Sequence, residues 1–191
     1  MASTKFVKSA VQWDQFPPKQ LPEVAIVGRS NSGKSSYINA LARQNLAKVS
    51  QKPGKTRLLN IFDYSSHCYL VDMPGYGFAA RSMGERKQWE KMIEGYLNES
   101  ERLVGMILLM DIRRKWTDDE DLLYQFCLSQ DLPMLVALTK ADKLSRSRWK
   151  SALLKMEGQL DLPTFAVSSE KKWGVNEVMG HALKHWVFPS K

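Results

Sequence analysis

The sequence predicts an α/β fold of three layers: a mixed, mostly parallel sheet of six strands, one antiparallel strand at its edge, and helices on both faces. Three observations lead there. Short apolar runs rich in branched residues recur at Val24–Val27, Leu58–Phe62, Tyr69–Val71, Leu103–Met110, Met134–Leu138 and Phe165–Val167, each a candidate buried strand. Stretches with helical spacing lie between most of them, at Lys34–Arg43, Glu85–Glu99, Asp118–Gln130, Arg146–Gln159 and Val175–Val187. Only Ser65 and Ser66 separate Leu58–Tyr64 from His67–Val71, which is too short for a crossover and predicts an antiparallel hairpin at a sheet edge.

Thr117-Asp118-Asp119-Glu120 and Ser145 supply helix starts, because a short polar side chain takes an orphan amide of the first turn. Gln44–Lys55, with Pro53-Gly54, and Met73–Gly84, rich in glycine, are expected as mobile loops. At roughly 100 to 200 residues per domain, the 191 residues support one domain over residues 23–191, with residues 1–22 as a lead-in packed on it.

Composition narrows the function classes. The net charge of +8 and pI near 9.5 favour polyanionic partners. The run Leu103–Met110 falls far short of the roughly 20 apolar residues that span a bilayer, and Met1–Lys8 lacks an apolar signal core, so a cytoplasmic chain without a membrane partner is expected. The two cysteines, Cys68 and Cys127, sit in no C-x-x-C pair and are expected as reduced core residues. His67, His181 and His185 form no ligand pattern.

Chemistry concentrates in a few motifs. Gly28-Arg29-Ser30-Asn31-Ser32-Gly33-Lys34-Ser35 fits G-x-x-x-x-G-K-[ST], directly after a strand and before a helical run, and Ser36 extends it into the helix. Glycines let the backbone wrap a phosphate chain with its N–H groups, and the helix start adds about half a positive charge. Lys34 is placed to meet the outer phosphates and Ser35 to ligate Mg²⁺. Asp72-Met73-Pro74-Gly75 gives D-x-x-G at the end of the strand Tyr69–Val71: Asp72 supports Mg²⁺ through water, and the Gly75 amide senses the γ-phosphate. Between these, Gly54-Lys55-Thr56-Arg57-Leu58 offers Thr56 as the hydroxyl that completes the Mg²⁺ shell when a γ-phosphate is present. The expected catalytic set is Lys34, Thr56 and Gly75.

The base is read by Thr139-Lys140-Ala141-Asp142, at the end of the strand Met134–Leu138. An Asp in this setting accepts hydrogen bonds from guanine N1 and the exocyclic amine, which adenine cannot supply, so the nucleotide is GTP or GDP. Val167-Ser168-Ser169, ending the last strand, completes the base pocket.

Taken in order, GRSNSGKSS, PGKT, DMPGYG, TKAD and VSS resemble the translation-factor-related class of small P-loop GTPases, and within it the EngB (YihA/YsxC) family. The resemblance covers nearly the whole chain and implies a G domain acting in maturation of the large (50S) ribosomal subunit. The implied cofactors are GTP or GDP and Mg²⁺, and the partners are 50S particles and their rRNA or precursors rather than DNA, engaged by a monomer. Ser32 stands where the family commonly has a small apolar residue, and Arg114-Lys115-Trp116 occupies a turn where proline is frequent.

Many GTPases orient the attacking water with a glutamine after D-x-x-G. Tyr76 stands there, so intrinsic turnover is expected to be slow, whether the ring faces the nucleotide or packs away from it. Related GTPases with asparagine at the Asn31 position bind K⁺ beside the phosphates, and K⁺ stimulation is an expectation from that resemblance. Basic residues interleave with tryptophan at Lys140, Lys143, Arg146, Arg148, Trp149, Lys150 and Lys155, again at Lys171-Lys172-Trp173, and at Lys184-His185-Trp186. That pattern suits RNA, or a solvated face with its tryptophans turned inward. Two other classes stay open: a P-loop kinase, which TKAD argues against, and a guanine-nucleotide-dependent regulatory module in cell division or septation, or in stress signalling, with negligible turnover.

Overall fold

β2, Glu23–Val27, is buried at every residue because both faces of the sheet are covered where it runs. Val24 and Ile26 enter one core and Ala25 and Val27 the other, the period-2 alternation of an extended chain. The computed structural model describes residues 3–11, 13–47, 58–76 and 94–189. Around β2 stand β1 Thr4–Ala10, β3 Leu59–Tyr64, β4 Cys68–Asp72, β5 Leu103–Asp111, β6 Met134–Thr139 and β7 Thr164–Ala166, in the order β1-β3-β4-β2-β5-β6-β7. β2 pairs in parallel with β4 and β5, and the parallel ladder continues through β6 to β7.

The sheet has seven strands where six were expected. β1 runs antiparallel beside β3, with a register shift between Phe6 and Lys8. The β3–β4 hairpin is therefore not at the edge, and the lead-in contributes a strand of its own. Thr4-Lys5-Phe6-Val7-Lys8-Ser9-Ala10 escapes detection because an edge strand buries little: only Thr4 and Ala10 are buried. The hairpin turns through Ser65 and Ser66, both in the left-handed region at φ 53° and 56°, and His67 N–H closes it on Tyr64 O at 2.9 Å.

α1, Lys34–Ala42, and α5, Val175–Ala182, cover one face through Tyr37, Ile38, Leu41, Val178 and Met179. α5 continues as a π-helical turn, Leu183–Val187, which carries Trp186 into that core. The other face receives a helical stretch over 94–99, α2, with α3 Asp118–Ser129 and α4 Arg146–Leu160. Thr117 heads α3: its N–H donates to Glu120 Oε2 at 3.0 Å, and four acidic residues in the first turn complement the helix dipole. Residues 48–55 and 77–84 of the two expected mobile loops, and 85–93 of the expected helix Glu85–Glu99, lie outside the described residues. Cys68 and Cys127 are buried free thiols, each pushed up to about 12 by burial, and His181 lies with its ring 4.4 Å from that of His185. Among the described residues no group of three potential ligands could hold a metal, and no helix is long and apolar enough to cross a membrane.

Gly105 in β5 is a tight point of this packing. A Cβ there would meet the Trp186 ring at 2.3 Å, and the buried indole has no room to withdraw. Gly105→Ala should therefore destabilise the fold by about 1–3 kcal/mol in urea unfolding. Trp186→Leu on that background should recover part of the loss; no loss in the single variant would show that the C-terminal turn is not packed on β5.

Candidate active site

The turn from Gly28 to Ser35 links β2 to α1 at the C-terminal end of the parallel strands, where ligands bind in sheets of this kind. Its first glycine is required by space as well as by backbone. Gly28 has φ 156°, and a Cβ would meet Leu109 O at 2.3 Å and Ser32 Oγ at 2.6 Å. Asn31 (φ 64°) and Gly33 (φ 103°) take left-handed conformations, and such alternation gathers successive N–H groups into an anion-binding concavity. Gly33 also caps α1, so the helix dipole points into the same space. The Lys34 ammonium donates to Gly28 O at 3.2 Å; burial lowers its pKa, against the opposing charge of Asp72.

Asp72 ends β4 beside Ile26 of β2, 7% exposed, and its Oδ1 has no hydrogen-bond partner. Burial pushes its carboxyl up to about 6, although the Lys34 charge and an Asn60 hydrogen bond pull the other way. A buried anionic oxygen without a donor, with the Ser35 hydroxyl on the first turn of α1, is the hard-oxygen donor set that suits Mg²⁺. Gly75 then passes so close to the turn that a Cβ would meet Ser30 Oγ at 2.7 Å, and Ser30 N–H donates to Tyr76 O at 3.2 Å. Gly54, Lys55, Thr56 and Arg57 lie outside the described residues; Leu58 is exposed just ahead of β3.

The second half of the site is tied to the first. The Thr139 hydroxyl, at the end of β6, reaches the carbonyls of Ser32 and Met110, and Lys140 Nζ donates to Asn31 O at 2.7 Å. Lys140 takes a left-handed conformation at φ 57°, which turns the chain into Ala141 and Asp142. Ala141 N–H bonds Val167 O at 3.1 Å, and Ser168 Oγ donates to Asp142 Oδ1 at 2.6 Å. Burial would raise the Asp142 carboxyl, but Ser168 and Lys143 outweigh it and hold it below the usual range. The expected base-reading segments, Thr139–Asp142 and Val167–Ser169, are thus joined by side-chain and backbone hydrogen bonds.

Two anchors were missed from the sequence. Asp111, at the end of β5, receives Arg113 at 2.7 Å and Lys140 at 3.1 Å and so holds the lysine that crosses the turn. Glu120 on α3 accepts the Tyr76 hydroxyl at 2.8 Å, so Tyr76 packs away into the helical layer. Only the first had a signal: Asp111 closes an apolar strand at the end where sites form.

A turn of backbone donors, fastened to a strand whose own end presents a fixed carboxylate, stands in the fold of the P-loop GTPases, and that is the class the chain falls in. Residues 23–140 match the family described as 50S ribosome-binding GTPase. A probable GTP-binding protein EngB of Bdellovibrio bacteriovorus is 50% identical over 184 residues, covering 96% of this chain and 92% of that protein. One from Listeria innocua is 43% identical over 180 residues, covering 92% and 93%. A crystal structure of a probable GTP-binding protein EngB superposes with TM-score 0.66 at 20% identity over 84% of this chain and 96% of that one, a likeness of fold. The chain belongs to the EngB family of GTP-binding proteins, and it is a GTPase.

The Asp111 cluster gives a pH prediction. Burial alone would raise its carboxyl, but the Arg113 and Lys140 hydrogen bonds outweigh this and hold it far below the usual 3.8. A depressed folded pKa contributes stability that is fully present above the unfolded value and lost progressively as pH falls from there through the folded value. Asp111→Asn should cost about 2 kcal/mol in urea unfolding at pH 7 and clearly less near pH 2. An equal cost at both pH values would show that the charge is not what stabilises.

Proposed function

We propose that the chain is a GTP-operated switch in assembly of the large (50S) ribosomal subunit, engaging ribosomal particles in the GTP state and releasing them after hydrolysis. Membership of a family described as 50S ribosome-binding GTPase carries this reading. The outer face of α4 supports it. Arg146, Arg148, Lys150 and Lys155 are exposed there with no ion-pair partner among the described residues, against the single acidic Glu157. Lys140 and Lys143, grouped with them in the sequence, are instead paired with Asp111, Asp142 and Glu170, and Trp149 stacks half-buried on Trp173 at 5.4 Å. The free cations of α4 suit rRNA phosphates. The protein works as a cytoplasmic monomer.

In this reading the backbone N–H groups of residues 28–36 hold the phosphates, Lys34 meets the outer ones, and Gly75 offers its amide to the γ-phosphate. Asp142, fixed by Ser168, reads the guanine edge, with Thr139–Ala141 and Val167–Ser169 around it. Ser35, Asp72 through water and Thr56 hold Mg²⁺, which when bound neutralises charge on the phosphate oxygens. Water attacks the γ-phosphorus and GDP departs as leaving group. With Tyr76 buried against α3, no side chain at that position orients the water, so intrinsic turnover is slow. A stabilising group from the ribosomal particle would raise it, by about 10³ to 10⁵ where such a group acts in trans.

Sedimentation with isolated 50S and 30S particles should show selective 50S binding with a non-hydrolysable GTP analogue and little with GDP. Replacing the four α4 cations by alanine should weaken it about tenfold or more near 0.15 M salt. Binding to neither particle, in any nucleotide state, would end this reading. Asn31 adds K⁺ beside the phosphates. Hydrolysis should then run several-fold faster in K⁺ than in Na⁺ at matched ionic strength, and equal rates would remove K⁺ from the account.

A further inference from the structure

The two residues that follow Pro74 are held from both sides. On one side is the phosphate-binding turn: Ser30 N–H donates to Tyr76 O at 3.2 Å, and Gly75 lies against Ser30 with no room for a Cβ. On the other is the first turn of α3. The Tyr76 ring is 7% exposed, and its hydroxyl donates to Glu120 Oε1 at 2.8 Å. Glu120 is itself 1% exposed, and its second oxygen takes the N–H and the hydroxyl of Thr117. The carboxylate is thus divided, one oxygen serving the helix start and the other the phenol.

That division asks for an explanation. A capping-box glutamate needs only one oxygen for the cap and ordinarily leaves the other in water. Here the second oxygen is buried, and burying an anion is tolerable only with donors on it. The donor comes from the residue after D-x-x-G, the place from which other GTPases reach for water. Burial and the Glu120 charge both push the phenol's pKa far up, so it stays a donor throughout the physiological range. Arg29, in the phosphate-binding turn, lies 6.0 Å from the centre of the same ring and is itself held by Asp119 of α3 at 2.8 Å. The turn, the strand extension and the start of α3 therefore close a ring of contacts around Tyr76.

We infer that Glu120 is a positioning residue of the GTPase reaction: through the Tyr76 hydroxyl it sets where the Gly75 main chain stands against the phosphate-binding turn. The inference rests on the reading of Gly75 as the amide that faces the γ-phosphate. Glycine gives the chain at that point its greatest freedom, so a good place for the amide has to be enforced from outside the segment. A tyrosine anchored on a helix does this without touching the nucleotide, at the expense of the water-orienting side chain that the position otherwise supplies.

The test uses Tyr76→Phe, which keeps the ring and loses the hydroxyl, and Glu120→Gln, which keeps an acceptor for the helix cap and loses the charge. Single-turnover GTP hydrolysis, GDP affinity and urea unfolding are measured on the full chain, with Lys34→Ala as the reference for the site itself. Each variant should hydrolyse about fivefold to tenfold more slowly while GDP affinity stays within about twofold. The double variant should be no slower than the slower single one, because both act on the same bond, Tyr76→Phe by deleting it and Glu120→Gln by removing the charge from it. Unchanged hydrolysis in both, with Lys34→Ala inactive, would overturn the positioning role and leave the site reading intact. Hydrolysis and GDP affinity falling together in step with stability would assign Glu120 to the fold alone. Full activity in Lys34→Ala would overturn the site reading, and the inference with it.

Discussion

The backbone of the turn after β2 is the constraint on which the rest depends. Gly28 presses on Leu109 of β5, Ser30 on Gly75, Ser32 receives Thr139, and Asn31 receives Lys140. Each contact uses a main-chain atom of the turn, so its shape is imposed by β5, β6 and the extension of β4 together. Left-handed backbone at Asn31 costs free energy in isolation and persists here because neighbours on several strands over-determine it. The same contacts join the turn after β2 to the segments Thr139–Asp142 and Val167–Ser169, so the proposed phosphate and base ends share one rigid frame.

Rigidity is obtained by burying charge, and Asp111, Glu120 and Asp72 are treated differently. Asp111 is surrounded by cations and stays ionised at little cost. Glu120 is satisfied by hydroxyls and an amide. Asp72, of these three, keeps an oxygen without a donor, and burial raises its pKa despite the nearby Lys34. A residue that destabilises its own fold beside a phosphate-binding turn is what a metal-binding role would require, since the compensating charge comes with the ligand.

The parts of this design that were legible in the sequence share a reason. Gly28, Lys34, Asp72 and Asp142 belong to short motifs with fixed spacing, and these motifs follow apolar runs long enough to be recognised. The central strands were legible because both faces are covered and their interiors are almost wholly apolar. β1 was not, because an edge strand with Lys5, Lys8 and Ser9 carries little hydrophobic signal and its partner β3 comes only after β2 and α1 in the chain. Asp119 and Glu120 look like ordinary helix-start carboxylates in sequence, and Asp111 is marked only by its place at a strand end. Their partners, Lys140, Arg29 and Tyr76, become neighbours only when the parallel strands align their ends. The direction of Tyr76 could be settled only by the presence of Glu120 on a different helix.

The central claim is that Asp142, fixed by Ser168 and tied through Thr139 and Lys140 to the phosphate turn, selects the base. Calorimetric titration of the wild type and Asp142→Asn with GDP and xanthosine diphosphate tests it most directly, because asparagine can donate to the oxo group that replaces the guanine amine. The account predicts that the wild type prefers GDP by about a hundredfold or more and that the variant reverses the preference. An unchanged preference for GDP in Asp142→Asn would contradict it.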